Sequence, residues 1–290
     1  MKILILCAGA ADKSFEGNKS DRPLRTKGKR QAQKIGAWMG RKGLRPDIVL
    51  TDSSLRAQAT AAKALKAAGW TAQNIQRSPE LSSGKFPDLP KAHRILIITV
   101  PSLIKKLMHG IGLDPDLSAG ALLQMSQEQG TWELVARIEP QELPDLFPYP
   151  SPDGPELRER PAYYYTQSAV IPYRKTAKGT EILIVGSSSG RHWVVPKGIV
   201  EPGLKPAASA MVEAREEAGV EGQIGDTQLG TYEYEKWGAT CHVAVFAMEV
   251  THMLPDDKWE ESHRERRWVM ATEAATLLNQ AAFGPMALQI

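Results

Sequence analysis

Three glutamates in the second half of the chain have the spacing of a metal-binding face. Glu213, Glu216 and Glu217 lie at positions i, i+3 and i+4, so a helix presents all three carboxylates on one side. Like charges at this spacing repel one another, and no lysine on that face compensates them. A hard divalent cation such as Mg²⁺ or Mn²⁺ prefers carboxylate oxygens and would remove the repulsion. The alternative for an isolated ExxEE pattern is a solvated helix face.

The residues before and after the triplet favour a ligand site over a solvated face. A strand-like run, His192–Val195, leads into a Pro-Lys-Gly turn, a loop and then the predicted helix Pro206–Ala218. Gly198 and Gly203 allow the loop backbone to approach a ligand closely. Gly219 follows the helix where a glycine C-cap is expected.

This order of residues resembles the Nudix box, G-x5-E-x7-R-E-U-x-E-E-x-G-U, in which U is apolar. With Gly198 as the first glycine, the matching positions hold Glu213, Glu216, Glu217 and Gly219. In that family the three glutamates bind the metal ion, and the backbone carbonyl of the first glycine is a further ligand. The resemblance therefore implies Mg²⁺ or Mn²⁺ as the cofactor.

Two positions of the box differ in this chain. Leu204 stands where the family has its first glutamate, and Val212 where it has the arginine that orients the metal-binding glutamates. Glu201 and Arg215 lie three residues away from these positions, but neither is in register. The metal core is thus kept while the groups that orient it are reduced, a change that costs roughly 10–100-fold rather than all activity.

The resemblance covers residues 160–285 and is similar to the diphosphoinositol polyphosphate phosphohydrolase type of Nudix protein. It implies an α+β fold in which helices sandwich a mixed sheet. The implied reaction is metal-assisted hydrolysis of a phosphoanhydride in a diphosphoinositol polyphosphate, a dinucleoside polyphosphate or polyphosphate. Glu216, Glu260 and Glu261 remain open as the group that accepts the proton of the attacking water.

Basic residues near the box are candidates for binding phosphate oxygens. Arg174 and Lys197 are the best local cations, with solvated surface charges as the alternative interpretation of each. Arg264, Arg266 and Arg267 lie at the start of the predicted strand Glu265–Val269 and are interpreted as an edge-strand charge cluster.

The first half of the chain has a different pattern. Strand-like runs that are apolar on both faces, Lys2–Cys7 and Arg94–Val100, alternate with predicted helices at 27–42 and 54–68. Such runs are typical of an α/β domain with a mostly parallel sheet. Residues 1–150 carry 22 basic and 14 acidic side chains, whereas residues 151–290 carry 14 and 19, so the net +3 conceals two halves of opposite sign.

The first 140 residues resemble the histidine phosphatase superfamily, in particular the phosphohistidine phosphatase SixA, which has a phosphoglycerate-mutase-like fold. The matching stretches are Met1–Leu6, Asp21–Ala32, Pro46–Ala61 and Ile95–Leu103. The family places an arginine and a nucleophilic histidine after the first strand, and a second histidine near the end of a later one. Two arginines and the second histidine bind the transferred phosphate.

Most of these phosphatase groups are absent from the sequence. Cys7 occupies the first arginine position, Ala8 the nucleophile position and Thr99 the second histidine position, so that only Arg56 remains of the four. Neither alanine nor threonine can form a phosphohistidine. We therefore predict a catalytically inactive, pseudophosphatase-like domain, whose positive charge either retains affinity for a phosphorylated molecule or is a solvated basic surface.

These observations predict two domains: 1–140, phosphatase-like, and 161–290, Nudix, joined by a proline-rich linker at 141–160. The expected partner is a phosphorylated small molecule, with no membrane and no nucleic acid. The leading alternatives are a non-enzymatic nucleotide or polyphosphate sensor, and an RNA 5′-end pyrophosphohydrolase.

Composition limits the remaining possibilities. Hydrophobic residues make up 42% of the chain and charged residues 24%, as in a globular protein. Two cysteines, Cys7 and Cys241, cannot form a disulfide framework, and the apolar N-terminal run is better explained as a buried strand than as a signal peptide. A cytoplasmic location is therefore expected.

Overall fold

The chain divides into two compact units in the computed structural model. The structure describes residues 2–18, 21–89, 91–114, 117–128, 131–225 and 227–290. Unit 1 comprises Met1–Ala162 and unit 2 comprises Tyr163–Ile290. In the described part of the chain, no helix is both long and apolar enough to cross a membrane.

Unit 1 is an α/β domain built on a six-stranded sheet of order β3-β2-β4-β1-β5-β6. The strands β1, β2, β3 and β4 are parallel to one another, and β5 and β6 join the sheet antiparallel at one edge. The elements of unit 1 are β1 (Lys2–Cys7), α1 (Thr26–Arg41), β2 (Ile48–Thr51), α2 (Leu55–Ala67), β3 (Ile75–Arg77), α3 (Pro79–Ser83), β4 (Arg94–Thr99), α4 (Pro101–His109), β5 (Leu122–Glu128), β6 (Thr131–Ile138), β7 (Phe147–Tyr149) and β8 (Glu156–Arg158).

The central strands of unit 1 are apolar on both faces because helices cover both. Leu4, Leu6 and Leu96 face the cluster that includes residues of α1 and α2. Ile3 and Ile95 face the opposite cluster, which includes residues of α3 and α4. The predicted α/β class and mostly parallel sheet are confirmed, whereas the edge strands β5 and β6 were not predicted.

The proline-rich segment 141–160, predicted to be a linker, belongs to unit 1 in the structure. Its strands β7 and β8 form an antiparallel pair, and Phe147 is buried. Arg30 on α1 places its guanidinium carbon 4.4 Å from the centre of the Phe147 ring and donates to the carbonyl oxygens of Asp145 and Glu159. Proline excludes a long regular element but not short strands, so tertiary contacts hold the segment in place.

Unit 2 is an α+β domain on a mixed sheet, in which strands run in the order β11-β10-β9-β15-β13. Three further strands join it, since β12 pairs with β9, β14 with β15 and β16 with β10. The pair β9–β15 is parallel and the other pairs are antiparallel. The elements of unit 2 are β9 (Thr166–Thr176), β10 (Gly179–Gly186), β11 (Trp193–Val194), β12 (Lys197–Ile199), α5 (Pro206–Ala218), β13 (Val220–Ile224), β14 (Gly230–Lys236), β15 (Ala239–Met253), β16 (Arg266–Met270), α6 (Ala271–Leu277) and α7 (Phe283–Ala287).

Helices cover both faces of the unit 2 sheet. The cluster of Val170, Leu183 and Phe246 packs with α5 on one face. Residues Ile171 and Ile182 point the other way, into the cluster that contains residues of α6 and α7. The predicted mixed sheet sandwiched by helices is therefore confirmed, and α5 is the element that positions the predicted site.

Candidate active site

The helix α5 carries the three glutamates, and its bounds agree with the sequence prediction. Proline opens its first turn, and Gly219 ends it in the left-handed region at φ 62°. Ala210, Ala214 and Ala218 are fully buried against the sheet, and their small side chains let the helix lie close to it. Because the alanines recur every four residues, the glutamates at the positions between them face away from the sheet core.

Gly198 on β12 is needed for the placement of Glu213. A Cβ atom on Gly198 would lie 1.8 Å from Oε1 of Glu213 and 2.1 Å from its Cδ. The carboxylate of Glu213 therefore rests directly on the Gly198 backbone, where a larger residue would displace it. β12 is held beside β9 by the register that pairs Gly198 with Ser168.

The three glutamates of α5 lie in an environment that disfavours their charged forms. Burial, followed by the charges of Glu217 and Glu216, raises the pKa of Glu213 from 4.5 to about 7. Burial also raises the pKa of Glu217, and it raises the pKa of Glu216, to which the charges of Glu260 and Glu201 contribute. All three carboxylates are thus less acidic than usual, because they are buried together with other carboxylates.

Glu217 is held on both of its oxygens. Its Oε2 accepts a hydrogen bond of 2.9 Å from the backbone N–H of Lys197. Its Oε1 accepts one of 3.0 Å from Nη2 of Arg264, whose side chain is only 8% exposed. Arg264 also lies 2.5 Å from Oε2 of Glu261, so that it bridges two carboxylates.

The structure gives a different set of contacts to each of the three arginines predicted to form an edge-strand charge cluster, of which Arg264 precedes β16 and Arg266 and Arg267 begin it. Arg264 binds the glutamate on α5. Arg266 donates to the carbonyl oxygens of Ala218 and Gly219, at 3.1 and 3.2 Å, and so caps the end of α5. Arg267 pairs with Glu273. Arg264 and Glu217 are 47 residues apart, so local spacing contains no signal for their contact.

Lys197 lies in a polar group that the sequence did not reveal. Its Nζ donates to Oε1 of Gln167 at 2.7 Å and lies 3.0 Å from the hydroxyl of Tyr234, which itself donates to Gln167 at 2.8 Å. Burial lowers the pKa of Lys197, and the charges of Glu217 and Glu213 oppose this. Lys197 is therefore a positioned cation beside the glutamates, supported by two residues from β9 and β14.

Arg174, the other predicted phosphate-binding cation, is engaged elsewhere. Its guanidinium forms hydrogen bonds of 2.7 Å through Nε and Nη2 to Oε2 of Glu181 on the neighbouring strand. It also stacks on Trp268, with 4.3 Å between its Cζ and the ring centre. The described contacts of Arg174 do not bring it together with the glutamates of α5.

The candidates for the proton acceptor now differ in their surroundings. Glu261 is paired with Arg264, whereas Glu216 lies near enough to Glu260 and Glu201 for their charges to raise its pKa. Glu201 precedes by three residues the position at which Leu204 replaces the box glutamate. The fold therefore brings a carboxylate to this part of the site although the box position has lost one.

The donor set fits a divalent cation, although the ligands are not gathered into a complete coordination group. Oxygen donors on one helix face, burial and mutual repulsion are the conditions under which Mg²⁺ or Mn²⁺ binds carboxylates. The Gly198 backbone, against which Glu213 rests, leaves no room for a side chain between them. Within the described residues, no three His, Cys, Asp or Glu side chains are arranged as a ready-made metal site.

The remnant of the predicted phosphatase site lies at the carboxyl ends of β1 and β4. Cys7 and Thr99 are opposite one another on these paired strands, and both are fully buried. Burial raises the pKa of the Cys7 thiol to about 11, which keeps it protonated. Ala8 is also buried, and Arg56 is the cation nearby, with a pKa lowered first by burial.

A carboxylate binds Thr99, the residue at the predicted position of the second histidine. The hydroxyl of Thr99 donates to Oδ2 of Asp52 at 2.5 Å, and the N–H of Val100 donates to the same oxygen at 3.1 Å. The other oxygen of Asp52, Oδ1, accepts a hydrogen bond of 2.6 Å from the N–H of Ser54. None of the residues described at this remnant is a histidine. Its one thiol, that of Cys7, resists ionisation.

Comparison with known proteins gives the class of each unit. The NUDIX domain matches residues 165–288, and the histidine phosphatase superfamily (branch 1) matches residues 3–95. Diphosphoinositol polyphosphate phosphohydrolase 3-alpha of Mus musculus is 31% identical over 121 residues, which are 41% of this chain and 71% of the relative. Nudix hydrolase 12, mitochondrial, of Arabidopsis thaliana is 37% identical over 106 residues, or 33% and 51% of the two chains.

Solved structures similar to the two units come from the same two groups. The match to the structure of the histidine phosphatase SixA complexed with tungstate covers 49% of this chain and 99% of the SixA chain, with a TM-score of 0.42 and 18% identity. The Ap4A hydrolase of C. elegans covers 43% and 94%, with a TM-score of 0.36 and 25% identity.

A mixed sheet between helices, with a glutamate-bearing helix next to a glycine strand, defines unit 2 as a NUDIX domain of the hydrolase type. Unit 1 is a histidine phosphatase-like α/β domain. The chain belongs to the Nudix family, with the phosphatase-like domain at its N-terminal side.

Proposed function

We propose that unit 2 hydrolyses a phosphoanhydride bond with the help of Mg²⁺ or Mn²⁺. The observation that carries the proposal is the placement of Glu213, Glu216 and Glu217 on one face of α5, beside Gly198 and Lys197. Glu213, Glu216 and Glu217, with the backbone carbonyl of Gly198, are the groups proposed to hold the cation. When bound, the cation supplies neutralisation of a diphosphate and acidifies water for attack on phosphorus.

The residues around the glutamates have separate tasks in this proposal. Arg264 and the N–H of Lys197 hold the Glu217 carboxylate, so that its orientation does not depend on an arginine at position 212. Lys197, oriented by Gln167 and Tyr234, places a cation where phosphate oxygens of the substrate would lie. Glu216 and Glu260 are the proposed proton acceptors, because the Glu261 carboxylate is occupied by Arg264.

The proposed substrate is a diphosphoinositol polyphosphate, a dinucleoside polyphosphate or polyphosphate. Support comes from the names of similar proteins, which include diphosphoinositol polyphosphate phosphohydrolases and an Ap4A hydrolase. We further propose that unit 1 has no phosphatase activity, since buried Cys7, Ala8 and Thr99 offer no nucleophile. The two free cysteines, both buried, accord with the proposed cytoplasmic location.

A substrate panel with matched variants tests the proposal. The full chain is assayed with Mg²⁺ or Mn²⁺ against diadenosine polyphosphates, a diphosphoinositol polyphosphate, polyphosphate and triphosphorylated RNA. Glu216→Gln and Glu217→Gln are expected to abolish turnover. The control is Glu221→Gln, which removes the carboxylate that pairs with Arg215 on the exposed side of α5. This variant is expected to retain turnover.

Each outcome of the panel has a defined meaning. Turnover of a soluble polyphosphorylated substrate that is lost in both site variants supports the proposal. Tight binding without turnover of any substrate favours a sensor instead. Turnover confined to triphosphorylated RNA would identify an RNA 5′-end pyrophosphohydrolase.

A further inference from the structure

Four basic residues of unit 1 line one cavity that reaches Ala10, two residues after Ala8 of the phosphatase remnant. Lys27, Arg30 and Lys34 lie at i, i+3 and i+7 on α1, so the helix turns them to the same side. Arg25 immediately precedes the helix. The cavity has a volume of about 660 Å³, within the range of small-molecule sites.

The opposite wall of the cavity comes from segments that the sequence places more than eighty residues away. The lining residues there are Ser118, Ala119, Pro140, Gln141 and Asp145. Gly120, at φ 85°, lies against Gln31 and Pro140, and a Cβ on it would come within 2.8 Å of the Gln31 side chain. The close approach of these segments shapes the cavity, which we call the basic cleft.

The charges of the basic cleft are only partly compensated. Asp145 is the one carboxylate among its described lining residues, and it pairs with Lys34 at 2.9 Å. The Asp145 side chain is 87% exposed and that of Lys34 is 9% exposed, so a bound anion would compete with Asp145 for this lysine. Glu139, the next acid along the chain, is instead bound by Arg137, Ser118 and Gln141.

Arg30 gives the basic cleft a fixed positive charge. Its guanidinium is held by the carbonyl oxygens of Asp145 and Glu159 and by the ring of Phe147. These partners hold the side chain in place, and the hydrogen bond from Lys34 and the charge of Arg30 both lower the pKa of Asp145. A positioned arginine loses less conformational entropy when it binds an anion than a flexible one does.

The chemistry of the lining selects among anions. Lys27, Arg30, Lys34 and Arg25 favour a ligand with several phosphate groups, since one phosphate cannot reach four cations spread over more than two helical turns. None of the described lining residues is aromatic, so the cleft has no surface on which a nucleobase would stack.

We propose that the basic cleft of unit 1 binds a compact, multiply phosphorylated small molecule, of the inositol polyphosphate or short polyphosphate type. The proposal rests on the cleft alone and does not depend on the activity of unit 2. None of Cys7, Ala8, Arg56 and Thr99 lines the cleft. Binding there would therefore need no phosphatase chemistry.

Calorimetric titration of the full chain tests this inference. The probes are inositol hexakisphosphate and tripolyphosphate, in physiological salt with EDTA, so that metal-dependent binding at unit 2 does not contribute. The expected dissociation constant is below about 100 µM. Lys27→Gln combined with Lys34→Gln is expected to weaken binding at least tenfold, about the effect of losing one or two charge-assisted hydrogen bonds.

A charge-matched control separates a site from general attraction. Lys29→Gln combined with Lys42→Gln removes the same charge from residues on or next to α1 that do not line the cleft, and should change affinity less than about twofold at this salt concentration. Thermal unfolding confirms that both variants fold. Equal weakening in the two variants, or no binding tighter than millimolar, would overturn the proposal. Tighter binding of single-stranded RNA than of either probe, lost in the cleft variant, would also overturn it.

Discussion

Nη2 of Arg264 lies 3.0 Å from Oε1 of Glu217, and this contact joins the loop before β16 to the glutamate helix. The Nudix box has an arginine at the position of Val212, which here is 43% exposed on α5. Arg264, from a distant part of the chain, thus makes a charged contact with Glu217 that the valine at the box position cannot make. Local sequence contains no signal for this contact.

Removal of Arg264 is therefore expected to weaken metal binding. Arg264→Gln leaves Glu217 without its charged partner, and we expect a loss of roughly 10–100-fold in Mg²⁺ or Mn²⁺ affinity. Titration with Mn²⁺, followed by electron paramagnetic resonance, measures it. Arg267→Gln is the control, because Arg267 pairs with Glu273 away from the glutamates of α5.

A second substitution distinguishes positioning from a general loss of structure. Val212→Arg in the Arg264→Gln background returns an arginine to the box position and should recover part of the lost affinity. If affinity does not fall in Arg264→Gln, or if Arg267→Gln lowers it equally, then Arg264 does not orient Glu217.

Gly198→Ala is expected to affect the site more than the fold. The new Cβ would meet the carboxylate of Glu213, which is the far end of a flexible side chain and can move. We expect metal affinity to fall while the free energy of unfolding changes by less than about 1 kcal/mol. Urea titration and Mn²⁺ binding of the same sample measure the two effects.

Gly222→Ala provides the matched comparison for this prediction. Its Cβ would lie 2.1 Å from the backbone carbonyl oxygen of Glu249, on the paired strand β15, and backbone cannot move away cheaply. We expect this variant to lose several kcal/mol or fail to fold. Similar unfolding in both alanine variants would refute the assignment of a flexible contact at Gly198.

The metal-free protein is expected to become less stable as Glu213 ionises. In the folded protein the pKa of Glu213 is raised from 4.5 to about 7. The contribution of Glu213 to the free energy of unfolding is therefore fully present below pH 4.5 and is lost as the pH rises through 7. Glu213→Gln should therefore stabilise the protein in EDTA at pH 8 relative to wild type, and hardly at pH 4. Denaturant titrations at the two pH values measure this difference.

With added Mg²⁺, wild type should become more stable than Glu213→Gln. The cation stabilises the folded wild type by binding to it, whereas Glu213→Gln has lost a ligand and should gain less. An equal gain in both proteins, or a stability difference that does not depend on pH, would contradict the role of Glu213.

Neither cysteine is expected to react in the folded protein. Cys7 and Cys241 are both fully buried, and burial raises the pKa of each thiol. We expect no reaction with a disulfide reagent at pH 8 until the chain unfolds, after which both thiols react. Rapid reaction of one thiol in the native protein, identified as Cys7 by peptide mapping, would reopen the possibility of a nucleophile in unit 1.

Features that depend on neighbouring residues were predictable from the sequence. The bounds of α5, the common face of its three glutamates and the first strand, Lys2–Cys7, follow from helical periodicity, a glycine stop and a short apolar run. The absence of both phosphatase histidines is likewise a property of the sequence.

Features that join distant segments were decided only by the tertiary structure. Arg264 meets Glu217, Lys197 meets Tyr234, and the segment 141–160 folds against α1, although no local pattern relates these residues. Such contacts form because the sheets bring separate segments together, and burial then makes an unpaired charge or polar group costly. The sequence thus determined which groups can do chemistry, and the fold determined which partners hold them.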